Sequence, residues 1–451
     1  MPTRRVVLIL GLIAFFVSTG YLAYRSQWVR NLFARDVENP AEMSKLAGTK
    51  LEVAAVAEST SGWPQWRGPM RDGRAPAGPI RTDWDKRPPT LLWSAPCGQG
   101  YSSLAVVSGK VYTQDRQGGN ERVICLNASD GKLLWEYSYP CDPAGKDRNF
   151  SSGPRATPAM QGDLLYAVGG AGTFLCLEIP SGPATPKLRW QHNLLQEFNA
   201  KMPQWGIASS PLIEGNLAIV QPGGENGSVA AFDKLTGELI WKAGNKPSGY
   251  SSPVAATIGG KRAIFALTSN ALLSIAADGK IEDSYTWVTQ FDGNIATPLI
   301  VDDYVFISAA YGHGCALLRA QRTEDGVRLI EVYARRLRGM KNHHSTSVYK
   351  DRYIYGFDGE RVGRLKCIEL NTGIEKADWE SSGMEMGSLI LTDNHLIIQT
   401  QGGELCLVEA TPVEFRLVAK IPKVLNGNQN WSSPTLVDGR LYLRDEEKVV
   451  C

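Results

Sequence analysis

Short stretches of alternating apolar and polar residues recur along most of the chain, each after a turn of Gly, Asp or Asn. Clear copies read KVYTQD from Lys110, NLAIVQ from Asn216 and RLYLRD from Arg440. Alternation with period two predicts strands that bury one face. Small hydroxyl residues and a Pro or Leu open each unit, and two further short strands follow, the last ending on a tryptophan. The pattern predicts a repeat of four strands.

The repeat occurs eight times, with successive copies 42 to 54 residues apart. Equivalent opening positions are Leu104, Pro158, Pro211, Pro253, Pro298, Ser347, Leu389 and Pro434. One four-stranded unit cannot bury both of its faces, so a series with this period is typical of a β-propeller. We therefore expect an all-β, eight-bladed propeller of four-stranded antiparallel blades over residues 61–451.

The hairpin that closes each unit has a recognisable form, clearest in AFDKLTGELIW from Ala231 to Trp241. Gly allows the positive φ that such a turn needs, and an Asp side chain caps the local backbone N–H groups. The terminal ring is expected to cover the gap to the neighbouring blade. The residues assigned to this role are Trp93, Trp135, Trp190, Trp241, Trp287 and Trp379, with Tyr333 and Val418 as smaller equivalents.

The two ends of the repeat region are complementary. Cys451 falls at the position of Cys125 and Cys367, so the last unit contains three strands, whereas LLWSAP (Leu91 to Pro96) is an outer strand with no unit before it. We expect Leu91 to Pro96 to pair with the segment from Arg440 to Val450. Such closure removes an exposed sheet edge.

Residues 6 to 24 are uncharged and almost entirely apolar, which is long enough to cross a bilayer as a helix. No convincing cleavage site precedes Arg25, so an uncleaved anchor over residues 1–24 is favoured over a cleaved signal peptide. Residues 25–60 are charged and alanine-rich and are interpreted as a linker. The predicted location is membrane-anchored, with the propeller on the periplasmic or extracytoplasmic side.

Composition excludes several classes of function. The chain has 451 residues, 46 Gly, 25 Pro and a formal charge of +2 without long runs of one sign, which argues against nucleic-acid binding. The five histidines do not form a metal-binding motif, and the adjacent His343 and His344 should point to opposite faces of an extended segment. No nucleotide-binding or hydrolase motif is present.

Five of the eight cysteines occupy one repeated position before the turn, where other units have Ala231 or Ser274. They are Cys125, Cys176, Cys367, Cys406 and Cys451. We interpret the position as a small buried site. Cys97 and Cys141 each follow a Pro beyond an outer strand, so a disulfide between them stays open.

The motif A-x-D-x-x-T-G-x-x-x-W at Ala231 to Trp241 resembles the repeat of the quinoprotein-like (PQQ-repeat) β-propeller family, which includes quinoprotein alcohol dehydrogenases and the outer-membrane assembly factor BamB. The resemblance spans about residues 63 to 451 and implies the fold. It does not fix a function, because enzymes and scaffolds share this motif. The segment WPQWRGPMRDG (Trp63 to Gly73) resembles the entry segment of exported members, and we expect it to lie across one mouth of the propeller.

The dehydrogenases of this family imply a quinone held between a tryptophan and a disulfide of adjacent cysteines, beside calcium bound by Glu, Asn and Asp. This chain has no Cys-Cys pair, and its inserts are short. Asp292, Asp358 and Glu385 stand in turn-like contexts, where capping is the common role. No catalytic, cofactor-binding or metal-binding residue is assigned. We expect no cofactor and favour a non-enzyme, with a PQQ- and calcium-dependent dehydrogenase as the alternative.

Bulky or basic residues precede the opening stretches and should gather around one mouth of the central channel. They are Tyr101, Phe150, Arg155, Trp205, Tyr250, His344 and Trp431. Propellers commonly bind partners at this place, so we interpret the set as a protein or peptide contact surface, with inter-blade packing as the alternative. The function favoured by the sequence is a binding or assembly scaffold; a non-catalytic ligand-sensing ectodomain is a further alternative.

Overall fold

The computed structural model describes residues 36–51, 62–75, 78, 80–141, 153–182, 184–336, 339–360, 363–379, 381 and 384–451. Over these residues the chain forms eight separate antiparallel sheets arranged as propeller blades. The prediction of an all-β, eight-bladed propeller is confirmed. Six blades have the predicted four strands, and two differ by one strand.

The strands of each blade follow one another in the chain, from the inner strand at the channel to the outer strand. Blade 1 contains Ala105–Val107, Lys110–Gln117, Asn120–Asn127 and Leu133–Pro140. Blade 2 contains Ala159–Gln161, Leu164–Val168, Thr173–Glu178 and Lys187–Asn193. Blade 3 contains Leu212–Glu214, Leu217–Val220, Val229–Asp233 and Leu239–Ala243. Blade 4 contains Val254–Ile258, Lys261–Leu267, Ala271–Ala276 and Ile281–Thr286.

The second half of the ring contains the two irregular blades. Blade 5 contains Leu299–Val301, Tyr304–Ala309, Gly314–Thr323 and Gly326–Arg335, to which Val37–Glu38 adds a fifth strand. Blade 6 contains Val348–Lys350, Tyr353–Asp358 and Arg364–Glu369. Blade 7 contains Gly387–Leu391, His395–Thr400, Leu405–Glu409 and Leu417–Ile421. Blade 8 contains Thr435–Val437, Arg440–Arg444, Lys448–Val450 and Ser94–Pro96. Two short helices, Pro40–Gly48 and Leu194–Glu197, and a 3-10 turn, Gln290–Asp292, complete the structure.

Residues 36–51, within the segment expected to act as a linker, pack against blade 5. The helix Pro40–Gly48 begins at Asn39, whose side chain accepts a hydrogen bond from the Glu42 N–H. Leu46 is fully buried in the core of blades 5 and 6, and Glu42 forms an ion pair with Arg319. The predicted anchor, residues 1–24, lies outside the described residues. Within the described part, no helix is long and apolar enough to cross a membrane.

The two ends of the repeat region pair as predicted. Ser94–Pro96 forms the outer strand of blade 8 antiparallel to Lys448–Val450. Trp93 and Cys451 exchange backbone hydrogen bonds beyond this pair. The fully buried Arg444 adds a second connection, since its guanidinium donates to the Ser102 and Gln114 carbonyls of blade 1. The first and last blades are thus joined by both strand pairing and side-chain bonds.

Outer-strand rings connect several blades to the next one. Trp93, Trp190, Trp241, Trp379 and Tyr333 each donate a hydrogen bond to a backbone carbonyl of the following blade. A bulge in the outer pair sets the register, because the ring residue lies opposite the small residue of the third strand, as Trp241 lies opposite Ala231. The ring and small-residue assignments therefore have one geometric origin.

Two ring assignments were wrong, and so was one cysteine assignment. Cys406 lies opposite Lys420, one residue before Leu407, which precedes the bulge as Cys125 does in blade 1. In blade 4 the residue opposite Ser274 is Asp283, and in blade 7 the bulge places Ala419, rather than Val418, opposite Leu407. Trp287 lies beyond the end of its strand. In blade 4 the long hairpin of blade 5 occupies the outer position, where the Asp283 carboxylate accepts the Leu329 N–H. The hairpin of blade 5 thus covers the outer strand of blade 4, where other blades have an aromatic ring.

None of the eight cysteines forms a disulfide, so the bridge between Cys97 and Cys141 that the sequence left open is absent. Cys125 lies buried opposite both Tyr112 and Trp135, and Cys176 lies in the same way between Tyr166 and Trp190. Burial raises the pKa of the Cys125 and Cys176 thiols to about 12. These cysteines act as small apolar side chains in the core.

Candidate functional site

Hydroxyl side chains at the start of the inner strands link neighbouring blades around the channel. The Ser103 N–H donates to the Thr157 hydroxyl, the Thr157 N–H to Ser210, and the Ser210 N–H to Ser252. The same bond joins Thr297 to Thr346 and Ser433 to Ser103. We call these residues the hydroxyl belt. The belt accounts for the Ser or Thr in the repeat, because five of these hydroxyls accept a backbone N–H of the preceding blade.

The segment from Trp63 to Gly73 closes the channel at one end, as expected. The buried guanidinium of Arg67 donates to the Thr346 and Ser347 carbonyls of blade 6, and that of Arg71 donates to the Ser210 and Pro211 carbonyls of blade 3. Burial lowers the pKa of Arg67 to about 10 and of Arg71 to about 9. Both arginines bind peptide carbonyls, which holds the segment across the channel.

Above this segment lies a cavity of about 160 Å³, which we call the cup. The Trp66 indole N–H donates to the Thr297 hydroxyl of the belt, so this ring forms the floor. A cavity of roughly this size holds a single aromatic ring or a group of similar size. The cup is lined by Trp66, Tyr101, Arg155, Trp205, Ala208, Ser210, Tyr250, Ser252, Ile295, Thr297, Tyr311, His343, His344, Thr346 and Trp431.

The structure brings six of the seven predicted rim residues together around the cup: Tyr101, Arg155, Trp205, Tyr250, His344 and Trp431. Phe150 lies outside the described residues. Most of the six stand two residues before a belt position, and side chains two apart on an extended segment share a face. That spacing is a signal that also identifies Ala208 and Ile295. Three lining residues were not named from the sequence. Trp66 belongs to the closing segment, Tyr311 lies in a loop, and His343 is the neighbour of the predicted His344.

One half of the cup, formed by residues that precede blades 1, 2, 6 and 8, carries the positive charge. Tyr101 and Trp431 pack with ring centroids 4.8 Å apart, and His344 stacks on Trp431 at 4.0 Å. The Arg155 guanidinium lies over the Tyr101 ring at 5.5 Å and donates to the Gly153 carbonyl. Burial lowers the pKa of Arg155 from its usual value, which still leaves it cationic at neutral pH.

The other half is formed by four rings from the region of blades 3 to 5. Trp205 and Tyr311 are nearly parallel, with planes 9° apart and centroids separated by 6.5 Å. Phe291 stands edge-on to both, and Tyr250 lies 5.2 Å from Trp205. His343 bonds to the Tyr311 hydroxyl at 2.8 Å and contacts His344 at 3.9 Å, so it joins the two halves. The adjacent histidines thus pack together, contrary to the expectation that they point apart.

The two histidines are neutral at physiological pH. Desolvation lowers the pKa of His343 to about 4 and that of His344 well below its usual value. Among the described residues that line the cup, Arg155 is the only group that is cationic at pH 7. The buried Trp205 Nε1 atom has no hydrogen-bond partner among the described residues. Buried polar groups are usually bonded, so this atom is an exception in the packing around the cup.

The cup does not fit the quinone and calcium that the family resemblance implies. No carboxylate is among the described residues that line it, and the described residues contain no group of three or more His, Cys, Asp or Glu side chains able to hold a metal ion. Asp358 forms an ion pair with Lys366, and Asp292 stands exposed at the rim. The cysteines that would flank the quinone are missing as well.

The sequence matches the PQQ-repeat family model described as outer membrane protein assembly factor BamB over residues 142–379, just over half of the chain. No curated protein matches the chain.

Three solved structures are similar in fold. The computationally designed Ika8 protein is 13% identical with a TM-score of 0.52, covering 80% of this chain and 98% of that one. BamB from Moraxella catarrhalis is 15% identical with a TM-score of 0.40, covering 81% and 84%. The quinohemoprotein alcohol dehydrogenase from Comamonas testosteroni is 13% identical with a TM-score of 0.49, covering 86% and 80%. At 13% identity, the similarity to Ika8 shows the fold alone.

Proposed function

The chain belongs to the PQQ-repeat propeller family of the outer membrane protein assembly factor BamB, and from this premise we propose that it is a scaffold that binds a protein partner through the cup. The apolar residues 6 to 24 would anchor it in a membrane, with the propeller on the extracytoplasmic side. The partner would insert a side chain between the aromatic rings.

The convergence of aromatic side chains from most of the blades on one cavity carries this proposal. Ordinary packing would satisfy such rings by burial against neighbours, whereas here they border an open space. Trp and Tyr are enriched among residues that dominate protein interfaces, because each combines a large apolar area with one polar group. The floor formed by Trp66 limits the cup to a single inserted group.

The alternatives make different demands on the same cavity. A quinone-dependent dehydrogenase needs carboxylates that bind calcium beside PQQ, and no carboxylate is among the described residues that line the cup. Purified protein titrated with PQQ and calcium, with dye reduction as the readout, tests that alternative. A ligand-sensing ectodomain would bind a small molecule in the cup without a protein partner.

The double variant Trp205→Ala/Trp431→Ala tests the scaffold proposal. It removes one ring from each half of the cup. Each lost ring of an interface hot spot weakens binding by about 2 kcal/mol, so we expect partner capture to fall by more than about tenfold. Capture is measured by mild crosslinking in the native membrane and quantitative recovery of the crosslinked partner.

The matched control is Tyr137→Ala/Tyr353→Ala, which removes two half-buried rings that do not line the cup. The control should retain capture, and both variants should keep the circular dichroism spectrum of the native protein. A cup variant that folds and still captures the partner at the native level contradicts the proposal.

A further inference from the structure

One half of the cup is formed by four aromatic rings. Trp205 and Tyr311 present nearly parallel planes, and Tyr250 and Phe291 complete the group. No Lys or Arg of the described residues lies over any of these four rings. A cation within about 6 Å of an aromatic centroid is attracted by the ring quadrupole, and several rings together strengthen the attraction.

The opposite half already contains such an arrangement inside the protein. There the Arg155 guanidinium lies over Tyr101, beside Trp431. That half has its rings and its cation. In the Trp205 half, no ring has a described Lys or Arg stacked on its face.

A carboxylate stands at the edge of the unoccupied half. Asp292 follows Phe291 directly and is exposed. Among the described residues, its side chain accepts no hydrogen bond and forms no ion pair. Burial raises the pKa of the Tyr250 hydroxyl to about 12, and the charge of Asp292 adds to this rise. Phe291 and Asp292 both have positive φ, 59° and 54°. Non-glycine residues adopt that conformation at a cost, and here it places a ring and a charge together at the rim.

We propose that the half of the cup formed by Trp205, Tyr250, Phe291 and Tyr311, with Asp292 at its rim, binds the guanidinium of an arginine side chain from the protein partner. This inference rests on the proposed protein-binding function. A guanidinium is planar and stacks on aromatic faces, and its fork of N–H groups pairs with a carboxylate. The nearly parallel Trp205 and Tyr311 rings favour a planar cation over a compact ammonium. An anionic side chain would meet the charge of Asp292.

Three capped pentapeptides test the proposal: Ala-Ala-Arg-Ala-Ala and the same peptide with citrulline or lysine in place of arginine. Citrulline has nearly the shape of arginine without its charge. Binding to the full-length chain is measured by calorimetry and by tryptophan fluorescence. We expect the arginine peptide to bind at least about tenfold more tightly than the citrulline peptide, in keeping with a desolvated cation–π and carboxylate contact. The lysine peptide should fall between them.

The variant Asp292→Asn should remove most of the preference for arginine over citrulline while the citrulline peptide binds as before. Asp278→Asn is the matched control, because Asp278 is an exposed turn residue of blade 4 that caps the Lys280 N–H and does not line the cup. The control should keep the preference of the native protein.

Equal binding of the arginine and citrulline peptides, a preference that survives Asp292→Asn, or no measurable binding of the arginine peptide overturns the inference. Each of these results leaves the proposed function to its own test, the loss of partner capture by Trp205→Ala/Trp431→Ala. Loss of capture together with equal peptide binding would retain a protein-binding cup that does not select arginine.

Discussion

At the scale of single residues, burial determines the chemistry of the cup. Desolvation lowers the pKa of both His343 and His344, and the neighbouring His343 lowers that of His344 further. They therefore act as neutral rings that pack against Tyr311 and Trp431. Protonating a buried histidine destabilises the folded state, because the charged ring is desolvated there. The stability of the protein therefore depends on pH.

The folded state should lose stability in acid because of His343. Its folded pKa is about 4, below the unfolded value, so the unfolded chain takes up the proton first. The histidine's contribution is complete above about pH 6.5 and is lost as pH falls towards 4. Between pH 7 and 5, the unfolding free energy of the native protein should fall by about 1–2 kcal/mol more than that of His343→Asn, measured by urea unfolding. Parallel pH profiles would contradict this.

Residue-level prediction from the sequence succeeded where a side chain has a fixed place in the repeat. Tyr101, Arg155 and Tyr250 could be identified because each stands two positions before a belt hydroxyl. Tyr311 and Phe291 could not, because they reach the cup from loops that the repeat does not constrain. The bonding role of the belt itself also escaped the sequence, since it depends on contacts between blades.

At the scale of elements, the turn glycine and the outer ring form one packing unit. A Cβ atom added to Gly237 in the last turn of blade 3 would lie 2.6 Å from the Trp190 ring of blade 2. Glycine is therefore favoured here for two reasons: it adopts positive φ easily, and it leaves room for the ring of the neighbouring blade. The repeated Thr-Gly and Trp of the sequence belong to adjacent blades in this contact.

Gly237→Ala should destabilise the protein far more than Gly215→Ala in the same blade. Both glycines have positive φ, 77° and 58°, but a Cβ at Gly215 meets no atom within 4 Å. The Gly215 variant should cost about 1 kcal/mol through φ alone, and the Gly237 variant about 2–5 kcal/mol through φ and the displaced ring. Chemical unfolding measures both. Equal losses would show that the ring moves aside freely.

Element assignment from the sequence failed where another element replaces the repeat. Asp283 and Ala419 occupy ring positions that Trp287 and Val418 were expected to fill. In blade 4 the long hairpin of blade 5 covers the outer strand. In the region of blades 7 and 8, Trp84 from the segment before the first blade is buried in the core beside Leu405. The pattern of one repeat gives no sign that an element from elsewhere in the chain covers the blade.

At the scale of the whole molecule, the ring depends on the pairing of Ser94–Pro96 with Lys448–Val450. Val449 is fully buried and pairs with Ala95 on one side and Arg444 on the other. The complementary ends of the repeat made this closure predictable. The fifth strand of blade 5 was not predictable, because two residues, Val37–Glu38, carry no pattern.

Val449→Pro should open the ring, because proline removes a ladder hydrogen bond within a sheet. We expect a loss of at least about 3 kcal/mol, with faster amide hydrogen exchange in blades 1 and 8. Val37→Pro is the control, since Val37 is exposed in an added edge strand, and it should change stability by less than about 1 kcal/mol. Similar losses in both variants would mean that closure contributes little to the stability of the propeller.

The closing segment, fastened by Arg67 and Arg71, makes the channel a dead end. A ligand that enters the channel must leave by the same opening. Two ligands that each fill the cup therefore cannot bind together. A small compound bound on Trp66 would compete with a protein partner even if the two are chemically unrelated.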